Sequence, residues 1–316
     1  MFCRISNEDN ATGTALQPDI NEAMMFEDFV STDLQGTYGK LHTLRGGQGA
    51  PLLLLHGHPQ THVMWHRLAP ALAKHFTIVM MDLRGYGDSA RSASDSAHTP
   101  YSKRAMAVDA MAVMQHYGFG SFQVLAHDRG ARVAHRLAVD HPAAVERLML
   151  LDIAPTLAMY GNTTEAFATA YWHWFFLIQP PPLPEALIGS DPVRYVRSVM
   201  GNRHAGLAAF TPQALAEYER CAQIAGTAKA ICEDYRASST IDLAHDRADI
   251  AAGRQLLQPL RVLWGEHGAV GKCFDVLELW RERAGQVSGA SLPCGHYMAE
   301  EAPELLLPQA LDFFKT

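Results

Sequence analysis

From about Met25 onward, short runs of apolar residues alternate with segments whose apolar positions recur at helical spacing. Continuous apolar runs bounded by turn residues suit strands buried on both faces. Their regular alternation with helical patterns points to an α/β fold, a mostly parallel sheet covered by helices on both sides. The runs are Pro51–Leu55, Thr77–Met81, Phe122–Ala126, Leu148–Ile153, Leu260–Trp264 and Val287–Leu292. An opening antiparallel pair at Phe26–Val30 and Tyr38–Leu44 completes an eight-stranded sheet. Helical patterns fall at Ala69–Ala73, Lys103–Tyr117, Ala131–Asp140, Phe274–Arg283 and Pro303–Phe314.

The alternation breaks after Leu151-Asp152-Ile153-Ala154-Pro155 and resumes near Leu260. The intervening segment is helical in pattern and punctuated by Pro180-Pro181-Pro182-Leu183-Pro184, Asp191-Pro192 and Thr211-Pro212. This division predicts a core domain formed by residues 25–155 and 258–316, with residues 156–257 inserted as a helical cap. Ligands of open α/β sheets bind at the carboxyl ends of the strands, so such a cap would roof the site. Residues 1–24 are polar and lack an apolar run, which predicts a flexible N-terminal extension rather than a secretory segment.

The centre of the pattern is Val124-Leu125-Ala126-His127-Asp128-Arg129-Gly130-Ala131-Arg132: the end of a buried strand, a tight turn, then a helix. Small residues flanking such a turn let the backbone bend sharply and push the central side chain out of the sheet. Where the commonest elbow carries serine and performs acyl transfer, Asp128 would attack an sp³ carbon and become an alkylated ester. The competing reading makes Asp128 only the cap of the following helix.

Composition narrows the classes. The 316 residues are 48% hydrophobic and 19% charged, with a net charge of -7, which leaves no electrostatic footprint for nucleic acid. Five cysteines form no paired motif, so neither a zinc site nor a disulfide framework is expected, and a cytoplasmic setting fits. No run reaches the ~20 apolar residues of a membrane span. The expected chemistry needs no cofactor and no metal, and the expected partner is a small molecule rather than nucleic acid or membrane.

A carboxylate nucleophile needs a base to activate water for hydrolysis of its ester. His296, in Pro293-Cys294-Gly295-His296-Tyr297 after the last strand, is the candidate among 16 histidines. An acid should orient it. Asp152, ending the strand after the elbow helix, is the first choice, with Glu266 the alternative. Arg129 and Arg132 lie in the first turn of the elbow helix, where cations oppose the macrodipole by about 0.3 to 1 kcal/mol each. An anion should compensate, and together they could grip a substrate carboxylate. Otherwise they would pair with acids such as Glu233 or Asp234. In Tyr171-Trp172-His173-Trp174-Phe175-Phe176, most aromatics suit core packing, but His173, Trp174 and the later Tyr235 each carry a donor suited to a departing halide. The loop His56-Gly57-His58-Pro59-Gln60 follows a strand as an oxyanion loop does.

These residues resemble the fluoroacetate and haloacetate dehalogenases of the α/β-hydrolase fold. The resemblance spans about Leu52 to Phe314 and is carried by His127-Asp128-Arg129-Gly130-Ala131-Arg132, Leu151-Asp152-Ile153, His173-Trp174, Gln179-Pro180, Pro182-Leu183-Pro184-Glu185, Cys232-Glu233-Asp234-Tyr235-Arg236 and Gly295-His296 with Glu300-Glu301-Ala302-Pro303. It implies Asp128 as nucleophile, Asp152 as charge partner and His296 as water-activating base. It also implies carboxylate binding by Arg129 and Arg132, halide binding by His173, Trp174 and Tyr235, and a homodimer. The implied reaction converts 2-haloacetates to glycolate and halide. The chain departs from the family pattern at His58, where the family carries phenylalanine, and in the more polar loop Arg84-Gly85-Tyr86-Gly87-Asp88, so halide preference or substrate size could shift. The rival readings are an epoxide hydrolase using the same aspartate and a catalytically silent protein that binds a small acid.

Overall fold

The computed structural model describes residues 25–315; the expected N-terminal extension lies outside the described residues. Eight strands form one sheet in the order β1-β2-β4-β3-β5-β6-β7-β8. They are β1 (Phe29–Gly36), β2 (Gly39–Gly46), β3 (Ala50–Leu55), β4 (Phe76–Met81), β5 (Phe122–His127), β6 (Val145–Leu151), β7 (Leu260–Gly265) and β8 (Val287–Leu292). β1 and β2 form an antiparallel hairpin, β2 meets β4 antiparallel, and β3 through β8 run parallel.

Side chains alternate across the sheet, and both faces are buried. Leu53, Leu55 and Val79 enter one core, with helices α1 (Lys103–His116) and α2 (Asp128–Asp140), while Leu52, Leu54, Ile78 and Met80 enter the other. The second core is closed by Phe313 and Phe314 of the C-terminal helix Pro303–Phe314. Burial on both faces is why these strands read as unbroken apolar runs.

The chain between β6 and β7 is helical: α3 (Thr156–Gly161), α4 (Glu165–Ala170), α5 (Trp172–Leu177), α6 (Leu183–Ser190), α7 (Pro192–Gly201), α8 (Pro212–Ala222), α9 (Thr227–Ser239) and α10 (Ile241–Ala251). The Asp-Pro and Thr-Pro steps start helices. Asp191 accepts the Arg194 amide at 2.9 Å and Thr211 accepts the Ala214 amide at 3.2 Å, with proline in the first turn, where its missing N–H costs nothing.

Several boundaries differ from the sequence pattern; the first strand ends at Gly36 rather than Val30, and the sixth runs Val145–Leu151 rather than Leu148–Ile153. The first strand begins at Phe29 rather than Phe26, because Phe26 turns inward and is buried against the second core. The elbow helix begins at Asp128 rather than Ala131. The helix expected over Phe274–Arg283 is shorter, Val276–Arg281, started by Asp275 accepting the Glu278 amide, and a further short helix, Ala269–Cys273, precedes it. Among the described residues, no helix is long and apolar enough to cross a membrane.

Candidate active site

The carboxyl ends of β3, β5, β6, β7 and β8 lie side by side, so the residues that follow them converge at one edge of the sheet. Asp128 follows β5 at the sheet centre. Its φ of 43° lies in the left-handed region, a strained conformation costing on the order of 1 to 3 kcal/mol that clusters at functional sites. The turn closes only around glycines. A Cβ on Gly57 would lie 2.6 Å from Asp128 Cβ, and one on Gly130 would lie 2.4 Å from the His56 carbonyl oxygen. The Gly130 amide donates to that carbonyl at 2.8 Å, which ties the elbow to the loop after β3.

The Asp128 carboxyl is buried, and Oδ1 accepts the His58 amide at 3.0 Å. Burial alone would raise its pKa. Nearby His296, His127, Arg132 and Arg129 outweigh burial and hold it below the usual carboxylate range. The group is therefore a carboxylate at neutral pH, the form a nucleophile requires.

His296 and Asp152 are joined: Nδ1 of His296 lies 2.6 Å from Oδ2 of Asp152. Asp152 follows β6 with a φ of 52°, and its Oδ1 accepts the Gly265 amide at the end of β7 at 3.0 Å. The carboxylate is thus gripped at both oxygens. Glu266, the alternative acid, is exposed, and its carboxylate has no hydrogen bond among the described residues. His127 packs its ring 4.6 Å from that of His296 and contacts the His296 carbonyl through Nε2 at 2.8 Å, which ties the loop of His296 to the elbow.

The two arginines differ. Arg129 is fully buried and directs Nε and Nη2 to Asp234, each at 2.8 Å, with Nη2 also on Ser238 Oγ at 2.5 Å. Asp234 also takes Lys103 and the Tyr86 hydroxyl. The acid weighed from the sequence as an alternative partner is therefore an actual partner of Arg129. Nη1 of Arg129 is buried without a hydrogen-bond partner and remains available. Arg132 instead donates to the Ala154 carbonyl at 3.2 Å and Thr156 Oγ1 at 2.8 Å, and its Nε is buried and unpartnered. Each guanidinium also lies over an aromatic ring, Arg129 4.1 Å above Tyr235 and Arg132 4.6 Å above Trp174.

His173, Trp174 and Tyr235 come together from α5 and α9. The Tyr235 ring centroid lies 6.0 Å from that of His173 and 6.3 Å from that of Trp174. Nε1 of Trp174 is buried with no hydrogen-bond partner, an expensive arrangement unless a ligand accepts from it. Burial holds the Tyr235 phenol well above its usual pKa and His173 well below its own, so one stays a protonated donor and the other neutral. The His58 ring joins this cluster at 5.4 Å from Tyr235 and is stacked 6.2 Å from His173. Its Nε2 lies 3.1 Å from the Tyr195 hydroxyl, while Nδ1 is buried and unpartnered. Sequence reasoning singled out the loop of His58 but gave no sign of Tyr195, which reaches the site only through the packing of α7.

An acid on the strand-turn-helix elbow, a second acid after the next strand and a histidine after the last are the chain order of an α/β hydrolase, and the family description "alpha/beta hydrolase fold" matches residues 50–303. Over 281 residues the chain is 41% identical to a fluoroacetate dehalogenase of Burkholderia sp., covering 89% of this chain and 92% of that protein. It belongs to the fluoroacetate and haloacetate dehalogenase family of that fold. A soluble epoxide hydrolase of Corynebacterium sp. is 33% identical over 279 residues, covering 87% of this chain and 93% of that protein. Among solved structures, a protein of Nostoc sp PCC 7120 provisionally described as an α/β hydrolase superposes with a TM-score of 0.88 at 54% identity, covering 92% of this chain and 99% of its own.

Proposed function

We propose that the protein hydrolyses 2-haloacetates, fluoroacetate and chloroacetate among them, to glycolate and halide through an ester on Asp128. The observation that carries this reading is the buried Asp128 carboxylate beside Arg129 and Arg132, with the unpartnered Nε1 of Trp174 in the aromatic cluster above it. In this reading the helical insertion serves as a cap over the site. Arg132, with Nη1 of Arg129, holds the substrate carboxylate. An Asp128 oxygen attacks the carbon that bears the halogen, forming a C–O bond as the C–X bond breaks and the halide leaves with the electron pair. His173, Trp174 and Tyr235 donate to that halide. Water then attacks the Asp128 carbonyl carbon, its proton passing to Nε2 of His296 while Asp152 stabilises the imidazolium. Collapse expels the alkoxide, which takes the proton back from His296 to leave as glycolate; ionisation of the Asp128 acid releases the second water proton and restores the carboxylate, and the halide departs.

A second reading has its own observation. Tyr195 and Tyr235 are both held protonated by burial beside the site, as acids that open an epoxide would be. An epoxide, however, offers no carboxylate to Arg132. The deciding experiment is halide release from fluoroacetate and chloroacetate by the wild type and Asp128→Ala. Release that vanishes in the variant supports the proposal. No release, with turnover of a simple epoxide, moves the assignment to the second reading.

A further inference from the structure

Arg203 differs from Arg220 and Arg236 of the insertion. Arg220 pairs with Asp88 and Glu217, and Arg236 pairs with Glu185 and Glu233. Among the described residues, no carboxylate forms an ion pair with the Arg203 guanidinium; its neighbours are the Tyr171 ring and the Tyr297 hydroxyl. Arg203 follows α7, partly exposed, with Cζ 4.8 Å over the Tyr171 ring, and Tyr171 is stacked 5.4 Å from His173. Its charge acts on Asp128, Asp152, His58 and His173, so it faces the reaction centre from the insertion side.

The charge balance of the site gives this placement a consequence. Asp128 and Asp152 already place two carboxylates at the sheet edge, and a haloacetate brings a third negative charge into a poorly solvated space. Arg129 is offset by Asp234, and Arg132 faces Asp128. Arg203 forms no ion pair with a carboxylate and feels Asp152 and Asp128 only at longer range, so it adds a further positive charge toward the site from the insertion side. Cation–π contact with Tyr171 holds it in place without cancelling its charge.

We propose that Arg203 is a specificity-determining residue of this reaction: it offsets the charge of an anionic substrate entering the site and so selects haloacids over neutral halocarbons. The inference rests on the function proposed above. The test compares kcat/KM for chloroacetate and for the neutral analogue chloroacetamide in wild type, Arg203→Gln and Arg203→Lys. It also compares the affinity of each protein for acetate, which cannot react. Arg203→Gln should lower kcat/KM for chloroacetate by about tenfold or more, weaken acetate binding in parallel and leave chloroacetamide within about twofold. Arg203→Lys should restore most of the loss. Because the ratio of the two substrates is taken on one preparation, a smaller folded fraction does not mimic the effect. An unchanged acid-to-amide ratio overturns the proposal. If the wild type releases chloride from neither compound, the proposed function fails instead, and acetate affinity then decides Arg203 alone: equal binding by wild type and Arg203→Gln overturns its role.

Discussion

Nδ1 of His296 lies 2.6 Å from Oδ2 of Asp152, whose other oxygen accepts the Gly265 amide, so the acid can turn away from the histidine only by breaking a backbone contact. That grip fixes which nitrogen of His296 carries the proton and leaves Nε2 as the basic one. In Asp152→Asn the amide N–H would face Nδ1 and reverse the tautomer. Steady-state turnover should fall by about 10⁴-fold while the first halide per active site is still released, because alkylation of Asp128 needs no base. Rapid-quench halide measurement separates the two phases; an unchanged steady state would remove Asp152 from the mechanism.

Asp234 is tied to Arg129 and Lys103 in a fully buried cluster, and those cations, led by Arg129, hold its pKa low against the opposing effect of burial. Asp234→Asn strands both cations. A buried pair broken on one side costs on the order of 3 to 5 kcal/mol, so the urea midpoint should drop sharply and the KM for haloacetate should rise as Arg129 loses its anchor. A variant as stable as wild type would show the cluster to be unimportant for folding.

Trp174 makes the opposite case. Its Nε1 has no partner within the protein, so Trp174→Phe removes a donor without stranding an acceptor. Stability should fall by about 1 to 3 kcal/mol, because the smaller ring leaves space in the core beside Arg132, whereas the single-turnover rate of halide release should fall by about 10²-fold. Loss of stability with an unchanged rate would make Trp174 a packing residue.

Stability should fall as pH drops from about 6.5. Burial lowers the pKa of His58 and His135 to about 3 and of His127 to about 4. Between those values and the ordinary 6.5, the unfolded chain binds protons that the folded chain does not, so stability rises with pH across this window. Asp109 and Asp242, raised by burial to about 6, act in the other direction, but their shifts are smaller. A melting-temperature profile between pH 4 and 7 checks the sign, and His58→Phe should flatten it; a profile that rises toward acid would contradict the assignment.

The central strands were legible because they are buried on both faces and so write unbroken apolar runs, as Leu52 to Leu55 does in β3. The elbow was legible because close approach leaves no room for a Cβ at Gly130. Phe26 misled because an apolar residue packed into a core from a loop looks locally like one in a strand. The choice of Arg129 between a substrate and Asp234 could not be read, since it depends on how α9 docks against α2, more than 100 residues away in sequence. Arg203 and Tyr195 left no trace for the same reason: only the packing of α7 and the turn after it brings them to the site.

The most direct test of the account is to expose His296→Asn to chloroacetate and follow chloride release together with the intact mass and peptide map. Without the base, the ester should persist: one chloride per chain, and a carboxymethyl group located on Asp128. Chloride release that continues past one equivalent, or an adduct on any other residue, would contradict it.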